Sequence, residues 1–322
     1  MLNGGTNMKK VVVLGGGTGL STLLRGLKLF PIDITAIVTV ADDGSSSGVL
    51  RKEFNTPAVG DLRNVLVSLS EVEPLVEQLL QYRFNTNSDL NNHAMGNLLL
   101  TALFNITGNL TKSLESLSKI LNIKGRILPF TEELPVLQAI TKDGEIIEGE
   151  SNITKAGKEI DYIKYKNEVK ATPEVLKAIK KADLVILGIG SLYTSIIPNL
   201  LEPNVVEALK KSKAKKMYVC NAMTEHGETD GFYVSDCVKQ INKYVSDNFI
   251  DVVIANSKLI DKSIQELYLE EQSTPILIDE EEISKMGIEL IKEDLATIVN
   301  NQVRHDPVKT ALAIFTYITK DK

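Results

Sequence analysis

Two adjacent carboxylates, Asp42 and Asp43, close an apolar run and open a stretch of small and hydroxyl residues, Ala41-Asp42-Asp43-Gly44-Ser45-Ser46-Ser47-Gly48. Upstream lies Gly15-Gly16-Gly17-Thr18-Gly19-Leu20-Ser21-Thr22, a turn almost without side chains. Glycine lets the backbone bend sharply and lets a ligand approach the amides. A helix N-terminus behind such a turn presents unpaired N–H groups and the positive end of a dipole, so phosphate is its natural guest. The chemistry suggested is nucleotide binding, with phosphate on the amides of Gly16, Gly17, Thr18 and Gly19. Asp42 would accept from a ribose hydroxyl, since it follows the turn at about the 20-residue spacing of a ribose-binding acid.

Two familiar loops nearly fit. A dinucleotide fingerprint needs Gly-x-Gly-x-x-Gly, but counting from Gly15 the last position is Leu20, and from Gly17 it is Thr22. A Walker A loop ends in Gly-Lys-Ser/Thr, and this turn contains no lysine. The spacing therefore argues against an NAD dehydrogenase and an ordinary ATP loop.

Other polar residues stand where a ligand edge is expected. Pro57-Ala58-Val59-Gly60-Asp61-Leu62-Arg63-Asn64 opens a helix over Val65 to Leu69, with Asp61 placed as its N-cap. Arg63 and Asn64 fall in the first turn, where a helix prefers acids, so an arginine there suits an anionic ligand, and Arg63 is expected to help hold the phosphate. His93 and Asn97 are four apart and share a helix face, as a ligand pair or as a satisfied core pair; spacing leaves both open. Gly96 between them suggests close approach by backbone or ligand. Gly188-Ile189-Gly190-Ser191-Leu192-Tyr193-Thr194-Ser195 follows one buried strand, and Asn221-Ala222-Met223-Thr224 follows another. Loops at the carboxyl ends of parallel strands converge on one crevice, which adds Gly190, Ser191, Tyr193, Asn221 and Thr224 to the candidates. His305 is read as structural, beside Asp306 as cap and Pro307 at a helix start.

The elements that must position these residues alternate. Val11 to Leu14 and Ile34 to Val40 read as buried strands on either side of a helix, a βαβ half-fold. Further strands are expected at Ala182 to Leu187, Lys216 to Cys220, Asp251 to Asn256 and an edge at Glu289 to Leu295, separated by helices. The fold class is α/β, a Rossmann-like, mostly parallel sheet flanked by helices. A small antiparallel β insertion is expected over about 126–165, with Lys142-Asp143-Gly144 as its hairpin. Residues 8–322 read as one domain and residues 1–7 as a disordered leader.

Bulk properties exclude several classes. The chain has 322 residues, 43% hydrophobic and 24% charged, as an ordinary core-forming protein does. A net charge of −6 argues against a nucleic-acid surface. No apolar run approaches the roughly 20 residues of a membrane span, and there is no signal peptide. Two cysteines without a Cys-x-x-Cys give neither a disulfide framework nor a zinc knuckle. Cytoplasm is the expected compartment.

The motifs together resemble a known family. Gly-Gly-Gly-Thr-Gly-Leu-Ser at Gly15, Ala-Asp-Asp-Gly at Ala41, Gly-Asp-Leu-Arg-Asn at Gly60 and Asn-x-x-x-Gly-Asn-Leu-Leu-Leu at Asn92 occur in order. Gly-Ser-Leu-Tyr-Thr-Ser at Gly190 and Asn-Ala-Met-Thr-x-x-Gly-Glu-Thr at Asn221 complete the set. The chain from Met8 onward resembles the 2-phospho-L-lactate transferase (CofD-like) superfamily and, within it, the gluconeogenesis-factor (YvcK-like) branch. Transferase relatives use magnesium and paired aspartates to move a phospholactyl group from a guanosine-diphosphate carrier to a deazaflavin precursor. Asp42 and Asp43 match that pair, which makes Asp43 the expected catalytic residue and, with Asp61, the expected magnesium ligand. Of the branch's serine-rich motif, Ser46, Ser47, Gly48 and Arg51 are kept, while Ser45 replaces a glycine and Val49 an arginine. The branch is associated with binding UDP-sugars or other nucleotides, and with growth and cell shape on gluconeogenic carbon sources. The resemblance thus implies a regulatory binder of a UDP-sugar, NAD or GDP-type ligand, the transferase being the alternative. Relatives suggest a homodimer. No conventional nucleophile constellation is evident, which favours binding.

Overall fold

The computed structural model describes residues 8–72 and 74–320; the expected leader, residues 1–7, lies outside the described residues. The first strand explains the architecture. β1 (Lys10–Gly15) carries Val11, Val12, Val13 and Leu14, each no more than 2% exposed. Val12 and Leu14 enter the apolar layer on one face of the sheet, Val11 and Val13 that on the other. A strand covered on both faces needs a continuous apolar run, not an alternating one, and belongs inside a parallel sheet.

Six further strands join it: β2 (Asp33–Val38), β3 (Arg126–Pro129), β7 (Leu184–Leu187), β8 (Lys215–Val219), β9 (Val252–Asn256) and β10 (Glu289–Glu293). All pairs are parallel, and the order is β10-β9-β8-β7-β1-β2-β3. Chain progression runs one way from β1 through β2 to β3 and the other way from β7 to β10. The order therefore reverses between β1 and β7, the position at which open α/β sheets leave a crevice at the strands' carboxyl ends.

A second, antiparallel sheet holds β4 (Leu137–Thr141) between β5 (Ile146–Glu148) and β6 (Ile160–Tyr165), with the expected hairpin between β4 and β5. The insertion starts later than expected. Arg126–Pro129 pairs in parallel with β2 from Thr35 to Val38, because Ile127 and Leu128 are buried where the main sheet needs an edge. β11 (Ala296–Val299) and β12 (Gln302–His305) form a short hairpin that leads into the helix Pro307–Lys320. That helix packs on Gly17–Leu27 so closely that a Cβ at Gly26 would lie 1.8 Å from the Pro307 carbonyl oxygen. Among the described residues no helix is long and apolar enough to cross a membrane.

Three local expectations are corrected. The helix at Asp61 runs Gly60–Leu69 with Val59 in the cap position, so Asp61 lies inside the first turn and is not the N-cap. His93 precedes the helix Met95–Thr107, and its shared-face relation to Asn97 is replaced by a common partner, Ser46. Gly188 onward continues not as a plain loop but as a wide helical turn, Leu192–Ile196, followed by a tight one, Ile197–Leu200.

Candidate functional site at the carboxyl edge of the sheet

The glycine turn sits at the reversal between β1 and β7. Gly16 is extended, and the helix begins at Gly17, whose φ of +67° is strained for any residue with a side chain. Its N-cap residue has no side chain to give and its first turn holds no acid. While the Gly17 amide is directed to Asp61 from a neighbouring helix, those of Thr18 and Gly19 face the loop edge without a local acceptor. Gly19 lets the loop after β7 press close, since a Cβ there would lie 2.5 Å from the Ile189 carbonyl oxygen.

Beside the turn, a cavity of about 350 Å³ is lined by Thr18 and Gly19, by Gly190 and Ser191 after β7, and by Asn221 and Thr224 after β8. Thus the convergence of loops from separate strands is real. The individual roles differ from those expected of free ligand contacts. Asn221 Oδ1 accepts from the Gly190 amide at 3.2 Å and its Nδ2 donates to the Gly190 carbonyl at 2.9 Å, so its amide braces the neighbouring loop. Thr224 Oγ1 accepts the Thr274 amide at 2.8 Å. Tyr193 is a core residue, 1% exposed and packed in the apolar layer, and it does not line the cavity.

Sequence reasoning missed the far wall, where Tyr268 and the strand Gln302–His305 close the cavity. Asp306 does cap the last helix, accepting from the amides of Val308 and Lys309. His305, however, lines the cavity with its Nε2 3.1 Å from the Cys220 carbonyl oxygen. Burial pushes it down to about 4, opposed by that carbonyl, so it is neutral at pH 7, and donation from Nε2 leaves Nδ1 as an acceptor. The only local signal was a histidine beside a cap motif, which conceals such a role.

The remaining candidates gather behind the turn rather than in the cavity. Asp61 stands against it, since a Cβ at Gly16 would lie 2.8 Å from Asp61 Oδ2. Burial and then the Asp42 charge push Asp61 up to about 6, against the pull of the Gly17 amide and Arg63. Asp42 also receives the Gly44 amide on Oδ1 at 2.9 Å. Glu150, from the insertion, is raised to about 7 by burial and then by Asp42, Asp61, Asp43 and Glu228. Asp43 turns elsewhere: its Oδ1 accepts the Ser151 amide at 2.9 Å, and it borders a separate cleft with Arg51. The structure therefore brings Asp61 together with Asp42, not with Asp43. Among the described residues no three His, Cys, Asp or Glu side chains converge as a metal-ligand set. Asp42 and Asp61 would be the residues to hold a magnesium ion here, where it would supply charge neutralisation for a phosphate-bearing ligand. Ser46, Ser47, Arg63, Asn64, His93 and Asn97 form a further polar group around the starts of three helices.

The family model described as 2-phospho-L-lactate transferase CofD matches residues 11–296, spanning the glycine turn, the aspartates and both ligand loops. The chain belongs to this family. Within the CofD family it is similar to the "Gluconeogenesis factor" of Bacillus subtilis, at 48% identity over 94% of this chain and 96% of that protein. It is likewise similar to the "Gluconeogenesis factor" of Halalkalibacterium halodurans, at 46% identity over 95% of each. A crystal structure of a UPF0052-family protein from Bacillus halodurans superposes with a TM-score of 0.92 at 46% identity, covering 95% of this chain and 99% of that one.

Proposed function

We propose that this CofD-family protein binds a nucleoside-diphosphate sugar of the UDP-sugar type and serves as a regulatory factor in growth on gluconeogenic carbon sources. The observation that carries the ligand class is the glycine-turn helix N-terminus, whose Thr18 and Gly19 line a cavity of about 350 Å³ at the sheet's point of reversal. A diphosphate on those amides leaves nucleoside and sugar to the walls formed by Ser191, Thr224 and His305. The names of the relatives support the gluconeogenic role.

One observation favours a second reading, a magnesium-dependent transfer of a nucleotide-activated group. Burial first and then the Asp42 charge raise Asp61, only partly offset by Arg63. Asp42 and Asp61 would be the residues to hold a divalent ion, which would supply charge neutralisation for a bound diphosphate. Calorimetric titration with UDP-N-acetylglucosamine, GDP and NAD, with and without magnesium, separates the readings. Magnesium-independent binding of the UDP-sugar without turnover supports the regulatory one. Magnesium-dependent preference for GDP supports the transferase, and no response to any of the three overturns both.

A further inference from the structure

The polar group behind the glycine turn has the character of a binding site in its own right. Arg63 is 7% exposed, yet among the described residues it forms no ion pair; its Nη2 donates to Asn64 Oδ1 at 2.7 Å and its Nε has no partner. A buried guanidinium without a carboxylate is costly, and the charge acting most strongly on it is another cation, Arg83. Asp61 and Asp42 act on it more weakly. The Arg63 stem lies against the helix Met95–Thr107, since a Cβ at Gly96 would sit 2.8 Å from Arg63 Cγ. Next to Gly96, Asn97 is 2% exposed and donates from Nδ2 to Ser46 Oγ at 3.2 Å, while its Oδ1 has no partner. Ser46 Oγ also lies 3.0 Å from His93 Nδ1. Donation from Asn97 to Ser46 and from Ser46 to His93 leaves His93 Nε2 with a proton to give.

Three helices open here without a side-chain cap: Ser45–Phe54, Gly60–Leu69 and Met95–Thr107. Asn109, Thr172 and Glu202 cap other helices with their own side chains, whereas the residues before these three, Gly44, Val59 and Ala94, have no polar side chain to give. Uncapped amides, a buried guanidinium and the Nε2–H of the buried His93 all offer protons. Asn97 Oδ1 is the acceptor among them.

We propose that Arg63, Ser46, His93 and Asn97 form a second anion site, separate from the nucleotide cavity, that takes a phosphate group retaining one proton. Charge-assisted donors from Arg63 and the helix amides hold the charged oxygens, and the remaining P–OH donates to Asn97 Oδ1. The site does not depend on which nucleotide the cavity binds.

The test is thermal unfolding of the full chain with inorganic phosphate as probe, alone and with saturating UDP-N-acetylglucosamine, and with sulfate as the protonless control. The expected result is a phosphate-dependent rise in Tm that persists when the nucleotide is present and exceeds that with sulfate by several fold in midpoint concentration. Glycerol 3-phosphate, run in parallel, tells a free ion from an esterified one. Arg63→Gln is expected to abolish the phosphate response and keep the nucleotide response. Asn97→Asp, which changes charge without changing size, should do the same if Arg63→Gln does not fold. A phosphate response that vanishes on adding nucleotide, or that survives both substitutions, overturns the proposal, as does an equal response to sulfate. Loss of the nucleotide response alone would instead count against the proposed function.

Discussion

Glu228 holds Ser191. Its Oε2 accepts the Ser191 hydroxyl at 2.5 Å and the Tyr193 amide at 3.1 Å, tying the segment after β8 to the loop after β7. Oε1 is buried without a partner, and burial, then Glu225, pushes the carboxyl up to about 8. The acid is therefore largely protonated at pH 7 and works as a neutral brace on one wall of the cavity.

The consequence is a pH dependence of known sign. A folded-state value of about 8, raised from the ordinary 4.5, means that the folded protein holds a proton the unfolded chain has lost between those limits. Stability from this group is complete below about 4.5 and is lost as pH rises through about 8. Glu228→Gln, a neutral isostere, is expected to fold and to flatten that slope in urea unfolding between pH 5 and 9. Glu228→Ala should cost about 1–3 kcal/mol at pH 7 by orphaning the Ser191 and Tyr193 donors, and should weaken UDP-sugar binding. A wild-type slope unchanged in Glu228→Gln would show that another group titrates there.

His305 contributes with the opposite sign. Its folded value of about 4 lies below the ordinary 6.5, so its stability is complete above about 6.5 and disappears as pH falls through about 4. His305→Leu is expected to lose about 1–3 kcal/mol at pH 7 through the orphaned Cys220 carbonyl. The gap to wild type should narrow when urea unfolding is repeated near pH 4.5. A constant gap would mean that His305 does not titrate in this range.

Gly17→Val tests the phosphate cradle. At φ +67° a β-branched residue costs about 1–3 kcal/mol of backbone strain, and its side chain would cover the open amides. Calorimetry should find UDP-sugar affinity reduced at least tenfold in a protein that still melts cooperatively. Unchanged affinity would move the diphosphate to another part of the edge.

Gly26→Ala tests the packing that fixes the turn from behind. The added methyl would overlap the Pro307 carbonyl, so the helices Gly17–Leu27 and Pro307–Lys320 must separate, at a cost of about 1–3 kcal/mol or more. Thermal unfolding should show the loss. A Tm equal to wild type would mean that the two helices part without cost.

Local chemistry made much of this legible in the sequence. Val11 to Leu14 had to be buried on both faces, the glycines after it had to turn, and the strands that followed repeated the pattern, which suffices for a parallel α/β sheet with loops on one edge. Short-range spacing misled where a side chain's partner is distant in the chain. Asp61 has the position of a cap, yet it faces Gly16 and Asp42. Arg126–Pro129 looked like the start of an insertion, but pairing with β2 decides its sheet, and pairing is not written in a four-residue strand.

The sequence by itself determined the family, the fold class and the open amides of the glycine turn, because these follow from ordered motifs, apolar runs and missing side chains. Only the tertiary structure decided which polar residues share a space. Strand order set β7 beside β1, which joins Gly190 and Ser191 to the turn and engages Asn221 on the Gly190 backbone. Helix packing set Arg63 against Gly96 and away from the cavity. Such neighbours are fixed by long-range burial of both sheet faces, a balance summed over the whole core that no single motif carries.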